Sequence, residues 1–203
     1  MKVFVVLFLL LLLLQFSTLH VLSCSPTTKF HSKSIDYIKK SCAATIYRRL
    51  CYRSLSIYAS KIDANPKLLV RTALNVTLKA TKSTSRLMKK LSRIHGLKPR
   101  VAAAMADCLE EMADSVFEIR NSLAEIDHII RDDPDFALAI SDIQTWVSAA
   151  LTDEDTCMDG FEGKAMNGYV KTRVRRHIIK VAHYTSNALA LINRFASTQE
   201  NPS

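Results

Sequence analysis

Residues 131–135 read Arg-Asp-Asp-Pro-Asp and form the strongest turn signal in the chain, because a proline among aspartates favours a turn over a helix. Cys108 lies 25 residues before Asp133, and Cys157 lies 24 residues after it. If helices run away from the turn on both sides, they pack antiparallel and bring Cys108 level with Cys157. This stretch therefore predicts a helical hairpin whose two helices are joined by a disulfide bond.

Apolar residues spaced three and four apart recur over four long segments, which predicts four amphipathic helices. The second segment runs from Pro99 to Ile130 and the third begins near Pro134, while glycines follow the first and third segments. In the first segment the predicted core positions are Leu69, Ala73, Val76, Ala80, Ser83, Leu87, Leu91 and Ile94. Four such helices joined by short turns predict an all-α, antiparallel up-and-down bundle.

The N-terminal stretch has the layout of a secretory signal peptide. A single lysine precedes an unbroken apolar run from Val3 to Leu14, shorter than the roughly 18–20 residues needed to span a bilayer. We expect residues 1–24 to be removed and the protein to be secreted; an uncleaved signal anchor is the alternative. The remaining chain would hold a helical extension over 25–63 and the bundle over 64–198.

Four cysteines remain if cleavage follows Cys24, and an even number in an oxidising compartment indicates disulfide bonds. Cys42 and Cys51 have no nearby histidine and no Cys-x-x-Cys spacing, so neither a zinc site nor a redox motif fits them. Because the predicted hairpin pairs Cys108 with Cys157, Cys42 is left to pair with Cys51 and to clip the helical extension.

Charge is sorted along the chain. Between Asp63 and Asp107 lie ten lysines and arginines and no acid, whereas 107–162 contains sixteen acidic residues against two arginines. The fourth segment is basic again, so neighbouring antiparallel helices are predicted to attract one another. The formal net charge of +9 favours an acidic extracellular polymer or an acidic protein surface as a partner. Nucleic acid is not expected, since a secreted chain without aromatic stacking motifs does not fit that role.

The sequence contains no recognisable catalytic constellation. The metalloprotease, hydrolase, phosphate-loop and dinucleotide motifs are all missing from it. His177 and His183 lie six residues apart on one predicted helix and so face different directions. The acidic residues of 153–159 lack the spacing and the terminal glutamate of a calcium loop. We therefore expect a binding protein without enzyme activity, metal or cofactor.

Four segments resemble the plant invertase and pectin methylesterase inhibitor family. They are the Cys42–Cys51 pair, Asp-Cys-Leu-Glu at 107–110, Thr-Trp-Val-Ser-Ala-Ala-Leu-Thr at 145–152, and Asp-Thr-Cys-Met-Asp-Gly-Phe at 155–161. The block at 145–152 is the most specific of them, and the resemblance extends over about 32–197. It implies a four-helix bundle with an N-terminal extension, bridged first-to-second and third-to-fourth cysteine.

The resemblance also implies a function. It predicts a monomeric, non-catalytic inhibitor, secreted to the cell wall or apoplast, that covers the active-site cleft of its target enzyme in a one-to-one complex. After signal cleavage no membrane contact is expected, whereas a weak contact with anionic pectin would suit the basic charge. The same domain precedes the catalytic domain of some pectin methylesterases, but this chain ends at Ser203 and is expected to act alone.

The choice of target depends on two positions. Family inhibitors of acid invertase carry Pro-Lys-Phe at the turn between the second and third bundle helices, and this chain carries Pro134, Asp135 and Phe136 there. The block at 145–152 is instead typical of pectin methylesterase inhibitors. The sequence therefore favours pectin methylesterase, with acid invertase as the alternative and a non-inhibitory wall-binding or receptor-binding bundle as a third possibility.

Two further surface features are predicted on the helices. Asp142, Thr145, Ala149 and Thr152 should form an exposed stripe of small side chains that contacts the enzyme. Asn75-Val76-Thr77 is a glycosylation sequon, so Asn75 is the candidate site for an N-linked glycan.

Overall fold

The computed structural model describes residues 26–130 and 134–200, with side chains over 31–130 and 134–198. The helices are α1 (Pro26–Cys42), α2 (Arg48–Leu55), α3 (Ala59–Ile62), α4 (Pro66–Leu91), α5 (Pro99–His128), α6 (Phe136–Asp159) and α7 (Tyr169–Glu200), with 3-10 turns at Ser56–Tyr58 and Lys164–Met166. The predicted signal peptide lies outside these residues, as do Arg131, Asp132 and Asp133 of the predicted turn. No helix in the described ranges has the length and hydropathy needed to cross a membrane.

Helices α4 to α7 form the predicted four-helix bundle. Each packs against the helix that follows it in the chain, and α7 closes the ring by packing against α4. The short helices α1 to α3 form the predicted N-terminal extension, which lies against α4 and α7. The fold expectation is therefore confirmed, including the two disulfide bonds. Cys42 is joined to Cys51 between α1 and α2, and Cys108 is joined to Cys157 between α5 and α6, which are the predicted pairs.

The helix starts follow from local chemistry. Asn65 caps α4, its Oδ1 accepting a hydrogen bond from the Leu68 amide at 3.0 Å, and Pro66 occupies the first helical position. Pro99 likewise begins α5. Gly96, between these helices, has φ of 76°, a left-handed conformation that glycine adopts without steric cost. These signals fix where α4 and α5 begin, and hence the registers of their core faces.

The core face of α4 differs from the predicted stripe. Val76, Ala80 and Leu87 are only half-buried, and Ser83 and Ile94 are exposed. The helix instead buries a face that includes four threonines, namely Thr72, Thr77, Thr81 and Thr84. Three of these donate their hydroxyl to the carbonyl four residues earlier, which satisfies the polar atom inside the helix and leaves the methyl group for packing.

The end of α5 also differs from the expectation. The predicted stripe continued to Ile130, but α5 ends at His128 and Ile130 is 67% exposed. Ile129 takes the buried position in its place. Because the chain leaves the helical path after His128, the spacing of three and four residues no longer determines which side chain faces the core.

Charge separates to opposite sides of the bundle, so oppositely charged helices meet at the α4–α5 and α6–α7 contacts and like-charged helices at the other two. The basic helices α4 and α7 are neighbours, and so are the acidic helices α5 and α6. A cross-helix pair does form where α4 meets the end of α5. There the Arg71 guanidinium donates hydrogen bonds to the Asp127 carboxylate and lowers the pKa of that carboxyl. The bundle consequently has one acidic side and one basic side.

Candidate functional site: the outer face of α6 and the groove opposite

The predicted enzyme-contact stripe is only partly on the outer face of α6. Thr145 and Thr152 are exposed, whereas Asp142 and Ala149 are half-buried. The latter two share a helical side with Asp153, whose carboxyl faces the acids of α5. The exposed face instead runs along Ser141, Thr145, Ser148, Thr152 and Thr156. The expectation that Asp142 and Ala149 are exposed is therefore wrong, because the neighbouring helix covers their side.

The threonines of this outer face keep their hydroxyls against the helix. Thr145 donates to the Ser141 carbonyl at 2.9 Å, Thr152 to Ser148 at 3.1 Å, and Thr156 to Thr152 at 2.9 Å. Each hydroxyl keeps its lone pairs free to accept from a partner, and the side chains project little beyond the backbone. Over residues 141–156 this face consists of short side chains, which permits close approach by another protein.

Phe117 on the outer side of α5 was missed by the sequence analysis. Its side chain is 59% exposed, unusual for a phenylalanine, and it lies on the helix adjacent to the α6 face. Three alanines one to three turns away along α5 are exposed as well: Ala106, Ala113 and Ala124. These alanines and Phe117 fall on one side of α5, away from its buried positions. That pattern in the sequence could have predicted an exposed apolar side of the helix.

Acidic side chains crowd the junction of α5 and α6. Burial and the nearby Glu111, Asp114 and Glu118 raise the pKa of Asp153 to about 6. Burial followed by repulsion from Asp114 raises the pKa of Glu118 as well. This edge therefore loses negative charge as the pH falls through about 6, so a partner bound across it meets a weaker field under acidic conditions.

Glu154 lies in the centre of the bundle, fully buried between three helices. Its Oε1 accepts hydrogen bonds from Ser115 Oγ of α5 at 3.0 Å and from Thr185 Oγ1 of α7 at 2.8 Å. Its Oε2 has no hydrogen-bond partner among the described residues. Burial raises the pKa of Glu154 to about 8, although the two hydroxyls oppose the rise. The carboxyl is therefore protonated at acidic and neutral pH. It links α5, α6 and α7 inside the bundle and is not available to a partner.

The turn before α6 places its three candidate residues differently. Pro134 and Asp135 are exposed, and Asp135 occupies the position preceding the first residue of α6. Phe136 is half-buried, with its ring edge-on to Phe195 of α7 at 5.7 Å between centroids. Asp135 is therefore accessible to a partner, whereas Phe136 anchors the start of α6 to the far end of α7.

A groove runs along the opposite side of the bundle, between α2, α4 and α7. It consists of three adjoining cavities of about 450, 430 and 480 Å³. The first shares the lining residues Tyr58 and Lys79 with the second, and Arg53 and Lys180 with the third. Among the described residues, seven lysines and arginines line it and no aspartate or glutamate does: Arg49, Arg53, Lys61, Lys79, Lys82, Arg86 and Lys180. We call this surface the basic groove.

Asn75, the candidate glycosylation site, is exposed on α4 and lines the cavity of about 430 Å³ at one end of the basic groove. Its Nδ2 donates to the Arg71 carbonyl at 2.8 Å. The side chain therefore lies along the helix at the edge of the groove, and a glycan on it would extend from that edge.

The described residues contain no group of three or more histidine, cysteine, aspartate or glutamate side chains placed to hold a metal ion. His177 and His183 lie on different sides of α7, as their spacing predicted. Nδ1 of His177 lies 2.8 Å from the Arg173 carbonyl, and the His183 ring stacks on Tyr47 at 3.5 Å. The outer face of α6 and the basic groove are therefore considered as surfaces for binding a partner.

Comparisons with known proteins identify related chains. A family model described as plant invertase/pectin methylesterase inhibitor matches residues 36–191. Pectinesterase inhibitor 10 of Arabidopsis thaliana is 50% identical over 86% of this chain, which covers 56% of that protein. Pectinesterase inhibitor 11 of the same plant is 41% identical over 92% of this chain and 94% of its own length. The crystal structure of a mutant pectin methylesterase inhibitor from Arabidopsis shares the fold, with a TM-score of 0.61 and 20% identity over 77% of this chain and 95% of that one.

Proposed function

Because the chain belongs to the plant invertase/pectin methylesterase inhibitor family, we propose that it inhibits pectin methylesterase by covering the enzyme's active-site cleft. The observation that carries the proposal is the exposed face of short hydroxyl side chains on α6, which lies on the side of the helix away from the core. As a member of a family of inhibitors, the chain acts by binding and not by catalysis. The proposed complex contains one inhibitor and one enzyme.

The α6 face supports cleft occlusion for a physical reason. Side chains whose hydroxyls are already bonded to their own helix lose little conformational entropy when a partner packs on them. Their free lone pairs accept hydrogen bonds from the enzyme without displacing an internal bond. Phe117 on the adjacent helix adds a large apolar side chain, the kind of residue that dominates interface energetics when buried by a partner.

Asp135 supports pectin methylesterase over acid invertase as the target. It is exposed at the α5–α6 turn, where the invertase inhibitors of the family carry a lysine. Carboxylates in an invertase cleft would be attracted to that lysine and repelled by Asp135, and each of these interactions is worth roughly 1–4 kcal/mol at about 4 Å. The charge at this turn therefore disfavours invertase without affecting a target met through the α6 face.

The experiment measures inhibition of a pectin methylesterase by the purified protein, with an acid invertase assayed in parallel. Inhibition of the esterase alone is expected; inhibition of the invertase alone would transfer the proposal to that enzyme, and inhibition of neither would refute both. Size-exclusion chromatography with light scattering on the protein alone and with the esterase tests the proposed monomer and the one-to-one stoichiometry.

The α6 face is tested by Thr145→Arg/Thr152→Arg. Both side chains are exposed, so two long charged residues there obstruct a partner without disturbing the core, and inhibition should fall at least tenfold, or about 1.4 kcal/mol. The matched control is Thr172→Arg/Ser197→Arg on α7, which makes the same charge change at exposed positions outside this face. If the two double variants inhibit the esterase equally well, the α6 face does not contact the enzyme.

Location is part of the same proposal. A pectin methylesterase inhibitor acts in the cell wall, which agrees with the signal peptide predicted over residues 1–24. Fusion of the full chain to an acid-stable fluorescent protein should label the apoplast of plasmolysed cells. Retention of the fusion protein inside the cell would contradict the proposed secretion.

A further inference from the structure

The basic groove concentrates like charge without compensation. None of its seven cations forms an ion pair within the described parts of the chain. Lys180 instead lies over the Tyr184 ring, with its Nζ 5.8 Å from the ring centroid. Like charges held together on four helices repel one another and lower the stability of the fold. Such an arrangement favours a site whose anionic ligand supplies the missing charge.

We propose that the basic groove binds a linear polyuronate, namely pectin from which the methyl esters have been removed. The choice of this polymer rests on the proposed function, because carboxylated pectin is the product of pectin methylesterase. The cationic groove itself does not depend on that function. A weak contact with anionic pectin was expected from net charge alone; the structure assigns it to one surface.

Shape favours a chain over a flat or compact ligand. The three cavities are contiguous, since the first shares Tyr58 and Lys79 with the second and Arg53 and Lys180 with the third. Along α4 alone, Lys79 to Arg86 spans about 10 Å at 1.5 Å per residue. A flat membrane surface would meet only the rim of such a groove. A linear polymer can follow it and place successive carboxylates against successive cations.

The groove also offers surfaces for sugar rings. Tyr58 and Tyr184 line it together with Ile57, whose side chain is 75% exposed. The C–H faces of a pyranose pack on aromatic and aliphatic side chains, while its carboxylate reaches a lysine or arginine. Methyl-esterified pectin presents the same rings without the charge, so the groove should distinguish the two forms.

The two proposed surfaces lie on opposite sides of the bundle and can be occupied together. The hydroxyl face belongs to α6, whereas the groove is lined by α2, α4 and α7 and by the turn and short helix that follow α2. A groove occupied by de-esterified pectin would hold the inhibitor where the esterase has already acted. A glycan on Asn75 would narrow the end cavity that this residue lines, so glycosylation and polymer binding should oppose each other.

The test compares Lys79→Glu/Lys180→Glu with Lys89→Glu/Lys90→Glu. The first pair lines the groove, and the second is exposed at the end of α4 outside it; both change the net charge equally. Binding of the full chain to immobilised polygalacturonate is measured by biolayer interferometry, with highly methyl-esterified pectin and double-stranded DNA as the other probes. The parent protein should bind polygalacturonate in a salt-dependent manner and bind the esterified polymer at least tenfold more weakly.

Reversing two groove charges should weaken polygalacturonate binding by about tenfold or more, and the control pair should change it much less. Equal loss in both pairs would show attraction by net charge alone and overturn the site. Tighter binding to DNA than to polygalacturonate would overturn the polyuronate assignment. Binding of each variant to the esterase, measured without pectin, should equal that of the parent. Failure of the groove is thereby separated from failure of the proposed inhibition.

Discussion

Replacing Glu154 by glutamine should change how the stability of the bundle depends on pH. The carboxyl is fully buried, and its pKa is raised from 4.5 to about 8. Below pH 4.5 it is neutral in both the folded and the unfolded chain. As the pH rises, the unfolded chain ionises first, and the stabilisation is lost progressively until the pH passes 8.

The magnitude follows from this pKa difference. Complete ionisation would cost the folded state about 5 kcal/mol, and the part lost between pH 5 and pH 8 is about 3 kcal/mol. Glutamine has no charge to lose, and its carbonyl oxygen can still accept from Ser115 and Thr185. One of its two amide N–H groups replaces the O–H of the protonated carboxyl, which also has no acceptor among the described residues. The second adds a further unpaired donor, which costs about 1–3 kcal/mol at every pH.

Urea unfolding followed by far-UV circular dichroism at pH 5, 6, 7 and 8 measures the effect. Glu154→Gln should be less stable than the parent at pH 5 and should gain on it by about 3 kcal/mol by pH 8. Asp153 titrates in both proteins and so cancels in the difference. Glu162→Gln, at an exposed position, is the control and should follow the parent. Parallel stability curves for Glu154→Gln and its parent would refute the reasoning.

Four further outcomes are expected. Serine replacement of both α5–α6 disulfide cysteines should lower the unfolding free energy by about 4 kcal/mol, and that of the α1–α2 pair by about 3, since they close loops with separations of 49 and 9 residues; equal losses in urea unfolding would contradict the loop argument. Asn65→Ala should cost about 1 kcal/mol in the same assay by removing the α4 cap, whereas Asn65→Asp should retain it. Asn75→Gln should abolish a glycosidase-sensitive mass in protein from a eukaryotic secretory host, and an unchanged mass would show the site unoccupied. Asp135→Lys should raise any residual invertase inhibition and leave esterase inhibition unchanged; tight invertase inhibition by the parent would overturn the choice of target.

Helix positions could be predicted from the sequence because their signals are local. Proline at 99 and glycine at 96 mark helix ends by backbone chemistry that does not depend on the rest of the fold. The pairing of Cys108 with Cys157 followed from spacing about one turn. In each case the information lies within one element or in the geometry of a single hairpin.

The errors arose where burial depends on neighbouring helices. Thr77 and Thr81 are polar by residue type, yet a hydroxyl that donates within its own helix leaves an apolar surface for the core. Glu154 is buried because hydroxyls on two other helices meet it, and no pattern within α6 reveals them. Ala149 is half-buried although it lies away from the core stripe, because α5 covers that side. The order of helices around the ring, which decides where charges meet, is likewise a property of the whole bundle.

The contact between Tyr47 and Asn187 has a consequence for the order of assembly. The Asn187 side chain both accepts from the Tyr47 amide and donates to its carbonyl, each at 3.1 Å, and the two residues lie 140 positions apart. During synthesis the extension leaves the ribosome first, but its docking site on α7 is made last. The loop that contains Tyr47 therefore cannot dock until α7 has been synthesised. The Cys42–Cys51 disulfide bond, whose cysteines flank this loop, can form before it docks.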